Sequence, residues 1–400
     1  MRPPVRTRPA ALLALACLVL SACSGSAEDP PVTTSPATAS STRSEVTVPE
    51  AADPVDAALA GMDRRAQVAQ LFVVGVQLDD LSPGDDLVAD GVGGVFLAGR
   101  SRAPAAELAA VTGRWASGAP GPRPWVAVDQ EGGQVQALQG PGFDRLPAAD
   151  EQGQLPPDRL AALAGTLGAQ LASAGVTLDL APVADVVPAG TEEGNDPIGA
   201  FGRQYGSTAA DVVPDVRAVV DGLAAHGVTA TLKHFPGLGL VDATTDEVAG
   251  VTDPVTTAVS EQVTAFGELA RSDAEPFVMV SSATYPRLDP DAPATFSRRV
   301  VTTLLRGFLR FDGVVITDDV GAAVAFEDVP PGDRAVRFLG AGGTLVLTVD
   351  AEIYPEMLDA VLARAEADPA FSATVDAAVR TALAAKARAG LLQQVRAPAR

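Results

Sequence analysis

The chain has 400 residues, 47% of them apolar and 20% charged, with a net charge of −21. So acidic a surface argues against nucleic acid as a partner, and against docking on anionic lipid through the protein surface. The two cysteines, Cys17 and Cys23, fall so early that the mature chain has no internal disulfide, and its stability has to come from a hydrophobic core.

Arg2, Arg6 and Arg8 precede an apolar run, Ala10 to Leu20, which is followed by Ser21, Ala22 and Cys23. A basic start, a short apolar run and small residues at its end predict an export signal over 1–22. The run is too short to span a bilayer. Leu20-Ser21-Ala22-Cys23 resembles a bacterial lipobox, so Cys23 is expected to carry lipid and hold the protein on the extracytoplasmic side of the cell membrane. The blander alternative is an ordinary signal with an incidental cysteine. Residues 23–52 are rich in Ser, Thr, Pro and Ala and poor in large apolar side chains, which predicts a flexible tether. That leaves 53–400 for one large domain.

Beyond the tether, short apolar runs alternate with longer helical patterns. The runs are Leu71–Val76, Gly91–Leu97, Trp125–Asp129, Val176–Ala181, Val228–Leu232, Phe277–Ser281, Gly313–Thr317 and Thr344–Thr348. They lack polar alternation, as expected of parallel strands buried on both faces. Helices are expected over 105–115, 158–174, 209–226, 255–271 and 298–308, where apolar residues recur at spacings of three and four. Ser297, at the end of Thr295-Phe296-Ser297, offers an N-cap to the last of these, and Gly175 and Gly227 fall where a helix should stop and a strand begin. Residues 354–392 read as terminal helices. Eight β/α units in sequence predict a (β/α)8 barrel in a single domain.

In such a barrel the reactive groups stand at the C-terminal ends of the strands. Those ends supply Asp129, Asp185, Lys233 with His234, Ser281 with Ser282, Asp318 with Asp319, and Asp350. Carboxylates accept hydrogen bonds from hydroxyls and the cations donate them, so the set suits a sugar. Hydrolysis of a glycosidic bond needs a nucleophile or base together with a proton donor, both commonly carboxyls. With only two histidines, one of them (His226) inside a helical pattern, a His-rich zinc site is excluded. An all-carboxylate Mg²⁺ site stays open, although no metal or other cofactor is expected.

Asp129-Gln-Glu-Gly-Gly133, Leu180-Ala-Pro-Val-Ala-Asp185, Lys233-His-Phe-Pro-Gly237 and Gly313-Val-Val-Ile-Thr-Asp-Asp319 resemble the family 3 glycoside hydrolases. More narrowly, they are similar to the single-domain bacterial β-N-acetylglucosaminidases of peptidoglycan turnover. The resemblance spans about 62 to 350. It implies a TIM-like barrel, a retaining mechanism acting on a carbohydrate, and a covalent glycosyl-enzyme on Asp318; a monomer is expected. It also implies that Asp129, Arg203, Lys233 and His234 hold sugar hydroxyls.

The pattern breaks in two loops. Where the family carries a proton-donating histidine, with an aspartate two residues before it, this chain has Asp246 and Thr244; Leu238 replaces another usual histidine. Gln134 and Ala137 stand in place of two usual arginines. Either Asp246 supplies the proton, with Asp242 in reserve, or the barrel is a glycan-binding envelope lipoprotein with impaired catalysis. Asp185 and Asp319 are expected to brace the barrel mouth or to cap a turn, and Gly132 and Gly133 to serve turn geometry.

Overall fold

The computed structural model describes residues 53–392. The expected export signal, Cys23 and the tether lie outside the described residues.

All eight apolar runs form strands, and the eight make one sheet: β1 (Phe72–Gln77), β2 (Gly94–Ala98), β3 (Trp125–Val128), β4 (Leu178–Asp179), β5 (Thr229–Phe235), β6 (Phe277–Val280), β7 (Val315–Thr317) and β8 (Val346–Thr348). Neighbouring strands are parallel throughout, in the order β7-β6-β5-β4-β3-β2-β1-β8. A bridge between Ile316 and Leu345 joins the two ends and closes the ring. The strands are built from branched side chains such as Val74, Val95, Val128, Val278, Ile316 and Val346, all wholly buried. Core on one face and a helical layer on the other leave them no polar face to show.

Helices Ala105–Gly118, Pro157–Ser173, Ala209–Ala224, Glu261–Leu269, Arg299–Phe308 and Pro331–Gly340 follow strands in turn. Ala209–Ala224 shows how: Val212, Val216, Val219, Val220 and Leu223 share one buried face, and Thr208 caps the start by accepting from the Asp211 amide. Gly175 (φ 75°) and Gly227 (φ 74°) end their helices in the left-handed conformation, as the sequence suggests. The Ser297 hydroxyl accepts from the Val300 amide at the mouth of Arg299–Phe308, which winds with the wider π pitch. Two helices, Tyr354–Ala367 and Pro369–Arg388, finish the described chain.

Two departures from the sequence reading have clear causes. The helix expected from 255 starts only at Glu261, because Asp253 accepts from the amides of Val255 and Thr256 and ties the intervening segment into a turn. Strand β5 runs on to Phe235, so Lys233 and His234 belong to the strand itself rather than to a turn beyond it. Its pairing with β6 slips register between Leu232 and Phe235. Successive residues of a regular strand face opposite ways; here the irregularity lets two neighbours line one pocket.

Candidate active site

Just past β3 the chain turns into a hairpin, Gln130–Gly132 with Val135–Gln136. Gly132 (φ 110°) has to be glycine: a Cβ there would stand 2.2 Å from the Pro147 carbonyl oxygen. The hairpin carries Glu131 over the mouth of the barrel. Lys233 Nζ lies 2.7 Å from Asp129 Oδ1 and 2.6 Å from Glu131 Oε1. Arg203 grips the same Glu131 with both prongs, Nε at 2.9 Å and Nη2 at 2.8 Å, while its Nη1 donates to the Pro197 carbonyl. Burial works to raise the Glu131 carboxyl, but the charges of Arg203 and Lys233 outweigh it and hold the group well below the ordinary carboxylate range. Burial likewise works against the Lys233 ammonium, and Asp129 and Glu131 reverse it, keeping the lysine charged.

Asp179 is wholly buried beneath this network. One of its oxygens accepts from the Gln130 amide and the other has no protein partner. Desolvation, reinforced by the nearby Asp129 charge, pushes its carboxyl up to about 8, so it is neutral at pH 7.

Next along β5, His234 donates or shares its Nδ1 proton with Asp185 Oδ2 at 2.7 Å. Asp185 is wholly buried and also accepts from the backbone amides of His234 and Leu238. The expected brace of the barrel mouth is therefore also the orienter of the histidine ring. With Nδ1 fixed, Nε2 is the nitrogen left for the pocket that His234 lines.

Asp318 and Asp319 follow β7. Asp319 holds the loop, accepting from the amides of Gly321, Ala322 and Val349. Asp318 is half-buried, and among the described residues its carboxyl accepts only from the Asp319 amide, at 2.9 Å. Asp246 arrives from the loop after β5. Asn195 secures the root of that loop by donating to the carbonyls of Leu238 and Val241, both at 2.7 Å. The tip is fastened to the Asp318 side by two main-chain bonds, Val324 N–H to the Asp246 carbonyl and Ala325 N–H to the Thr245 carbonyl, both 3.2 Å. Asp246 is exposed at the rim. Even so, desolvation first and the Asp318 charge second push its carboxyl up to about 6.

These side chains line one cleft of about 470 Å³: Asp129, Glu131, Arg203, Lys233, His234, Asp246, Asp318 and Asp319, floored by apolar residues including Leu180, Met279 and Leu347. That is ample for a sugar ring. Asp242 is exposed and does not line it. Among the described residues no three His, Cys, Asp or Glu side chains are grouped so as to hold a metal ion.

Residues 64–384 match the glycosyl hydrolase family 3 N-terminal domain. The chain is 34% identical over 307 residues to a β-hexosaminidase of Xanthomonas campestris pv. campestris strain B100, covering 74% of this chain and 88% of that one. The chain belongs to glycosyl hydrolase family 3. Its fold superposes on the crystal structure of a β-N-acetylhexosaminidase from Beutenbergia cavernae with a TM-score of 0.78 and 46% identity, over 82% of this chain and 99% of that one. It also matches a family 3 β-N-acetylglucosaminidase from Paenibacillus sp. FPU-7 at TM-score 0.74 and 28% identity, over 85% of this chain and 65% of that one.

Within this family 3 barrel, the structure brings together every residue expected in the pocket: Asp129, Arg203, Lys233, His234, Asp246 and Asp318. Three partners were missed. Glu131 stands two residues after Asp129, and alternate residues of an extended segment share a face, so its position was readable. Asp179 is the acid of Leu178-Asp179-Leu180, the one charged residue in the run Val176–Ala181. Asn195 gave no signal, because its role depends on a loop that packs against it only in three dimensions.

Proposed function

We propose that this family 3 chain is a retaining glycosidase that removes a terminal β-linked N-acetylhexosamine from a glycan. The relatives named above as β-hexosaminidase and β-N-acetylhexosaminidase support the sugar class. In the proposed reaction, the Asp318 carboxylate attacks the anomeric carbon while the glycosidic oxygen takes a proton from the Asp246 carboxyl and departs as an alcohol. The Asp246 carboxylate then removes a proton from water, whose oxygen attacks the same carbon and releases Asp318. Lys233, His234, Asp129 and Arg203 hold sugar hydroxyls or the groups that do so.

One observation carries the assignment of roles. Two carboxyls line the same cleft, and partial desolvation together with the Asp318 charge raises the one on Asp246, exposed at the rim, to about 6. A carboxyl so tuned can do the work that a histidine does elsewhere.

The test is hydrolysis of an aryl β-N-acetylglucosaminide by wild type, Asp318→Asn and Asp246→Asn. Turnover by wild type and its loss in Asp318→Asn support the assignment. Full activity in Asp246→Asn removes that residue as the donor, and sugar binding without turnover by wild type leaves a binding protein. We also propose that Cys23 carries a lipid that holds the chain at the outer face of the cell membrane, on the strength of the Leu20–Cys23 motif. Release of Cys23→Ser into the medium checks this.

A further inference from the structure

Among the described residues three aspartates are wholly buried, Asp179, Asp185 and Asp253. Two of them have both oxygens engaged. Asp185 takes the His234 ring and two backbone amides, and Asp253 takes two amides and the Thr256 hydroxyl. Asp179 differs. Its Oδ1 accepts from the Gln130 amide at 3.0 Å, and its Oδ2 has no hydrogen-bond partner among the described residues.

The cations nearby are committed elsewhere. Lys233 is bonded to Asp129 and Glu131, and Arg203 gives its guanidinium to Glu131 and the Pro197 carbonyl. Two cations already balance two carboxylates. An ionised Asp179 would be a third negative charge, shut in beside the other two and unmatched. The neutral acid adds no charge and still offers Oδ1 to Gln130. Burial first, and the Asp129 charge with it, drive the carboxyl in that direction. The ionisable groups around it are Asp129 and Glu131 at the end of β3, Lys233 on β5, and Tyr205 from the loop after β4. The Tyr205 hydroxyl is already given to Gln152 Oε1, at 3.0 Å.

What Asp179 holds is the link between two members of the pocket. Gln130 lies between Asp129 and Glu131, so fixing its amide fixes the stretch of chain that carries both. The Gln130 side chain is tied separately, by two 2.9 Å bonds exchanged with the Leu138 backbone. Its buried main-chain N–H depends on Asp179 alone among the described residues.

We propose that Asp179 is a positioning residue for the sugar-holding groups and that it serves as the neutral acid. Protonated, it seats Asp129 and Glu131 against Lys233; ionised, it repels both carboxylates and loosens that seat. It takes no part in the chemistry of Asp318 and Asp246. Sugar affinity is thereby linked to a proton held beneath the pocket. This rests on the glycosidase reading, which places a sugar there.

The experiment is calorimetric titration of the full-length chain with N-acetylglucosamine, from about pH 6 to about pH 10, in wild type, Asp179→Asn and Asp179→Leu. Asparagine keeps an acceptor oxygen and the neutral charge; leucine keeps only the neutral charge. Asp179→Leu should bind roughly tenfold more weakly at every pH, and Asp179→Asn should recover most of that loss. Wild-type Kd should rise above about pH 8, by up to about tenfold per pH unit, and Asp179→Asn should lack the rise. Asp246 titrates near 6, below this limb, and Lys233 stays charged through it. On an aryl β-N-acetylglucosaminide, the loss in Asp179→Leu should fall on KM more than on kcat.

Unfolding in urea reads the proton without any sugar. The folded chain keeps on Asp179, up to about pH 8, a proton that the unfolded chain gives up at about 3.8. This contribution to stability is full below the lower value and declines as pH rises to the upper one. Between them the folding constant of wild type should fall about tenfold per pH unit relative to Asp179→Asn.

Equal slopes in those two proteins, an alkaline rise in Kd that persists in Asp179→Asn, or an asparagine variant as weak as the leucine one each overturn the proposal. So does an Asp179→Leu protein that binds as wild type does. These failures leave the glycosidase reading standing, whereas absence of both sugar binding and turnover in wild type overturns the two together.

Discussion

The barrel buries a lysine at each of its two ends, and they could hardly differ more. At the C-terminal rim, Lys233 sits between Asp129 and Glu131 and stays charged despite burial. At the opposite end, Lys386 of the last described helix is wholly buried with one neutral partner, Gln70 Oε1 at 2.6 Å, and Gln70 itself precedes β1 and donates to the Gly91 carbonyl. With no acid nearby, burial drives the Lys386 amine down to about 7. The contrast separates two uses of the same residue. The rim retains its charge because carboxylates were buried with it, which is an arrangement for meeting a polar ligand. The far end accommodates an amine that the fold would be more stable without.

Four substitutions sharpen or break that contrast. The largest effect is expected at the rim: Asp318→Asn should lower kcat on an aryl β-N-acetylglucosaminide by roughly 10⁴-fold or more, with the thermal midpoint nearly unmoved. Next comes the proton donor. An acid with a carboxyl at about 6 has to be protonated to act, so wild-type kcat/KM should fall as pH rises above about 6. Asp246→Asn should remove that limb and lower the rate by about 10²–10⁴-fold for a sugar leaving group, less for a nitrophenol that departs without a proton. A pH profile of each variant decides it.

Lys233→Met tests the rim's charge balance. It leaves Glu131 with Arg203 alone and Asp129 without its partner, and should destabilise the fold by about 3–5 kcal/mol in urea unfolding while abolishing turnover. The smallest effect has the opposite sign. Lys386→Met should leave turnover intact and stabilise by about 1–4 kcal/mol at pH 7. The pH dependence follows from the depressed amine. As pH falls through 10.5 the unfolded chain takes up the proton that the folded chain refuses until about 7. Wild-type stability therefore declines from pH 10.5 to 7 and levels below that, and the methionine variant should lose this slope. Equal slopes in the two proteins would mean that Lys386 finds a counter-charge in solution.

The sheet was legible because each strand lies in a mostly apolar run, and the residues at the strand ends were legible because a parallel barrel sends them all to one rim. Lys233 and His234 were found for that reason, although β5 carries them inside the strand by a slip of register that no spacing announces. Glu131 was passed over because it lies on a hairpin beyond the strand end. Asp179 was passed over because one acid in a buried strand looks like noise until its neighbours are known. Short helices such as Pro83–Ala89 and Pro331–Gly340 are too brief for periodicity to show.

The loop bearing Asp246 is clasped to the segment after Asp318 by two main-chain hydrogen bonds, Thr245 and Asp246 accepting and Val324 and Ala325 donating. Such a clasp is indifferent to which side chains occupy those four positions. A lineage can therefore exchange the residue at 246 while the loop keeps its seat, and the chemistry of the mouth can drift without the architecture having to be reinvented.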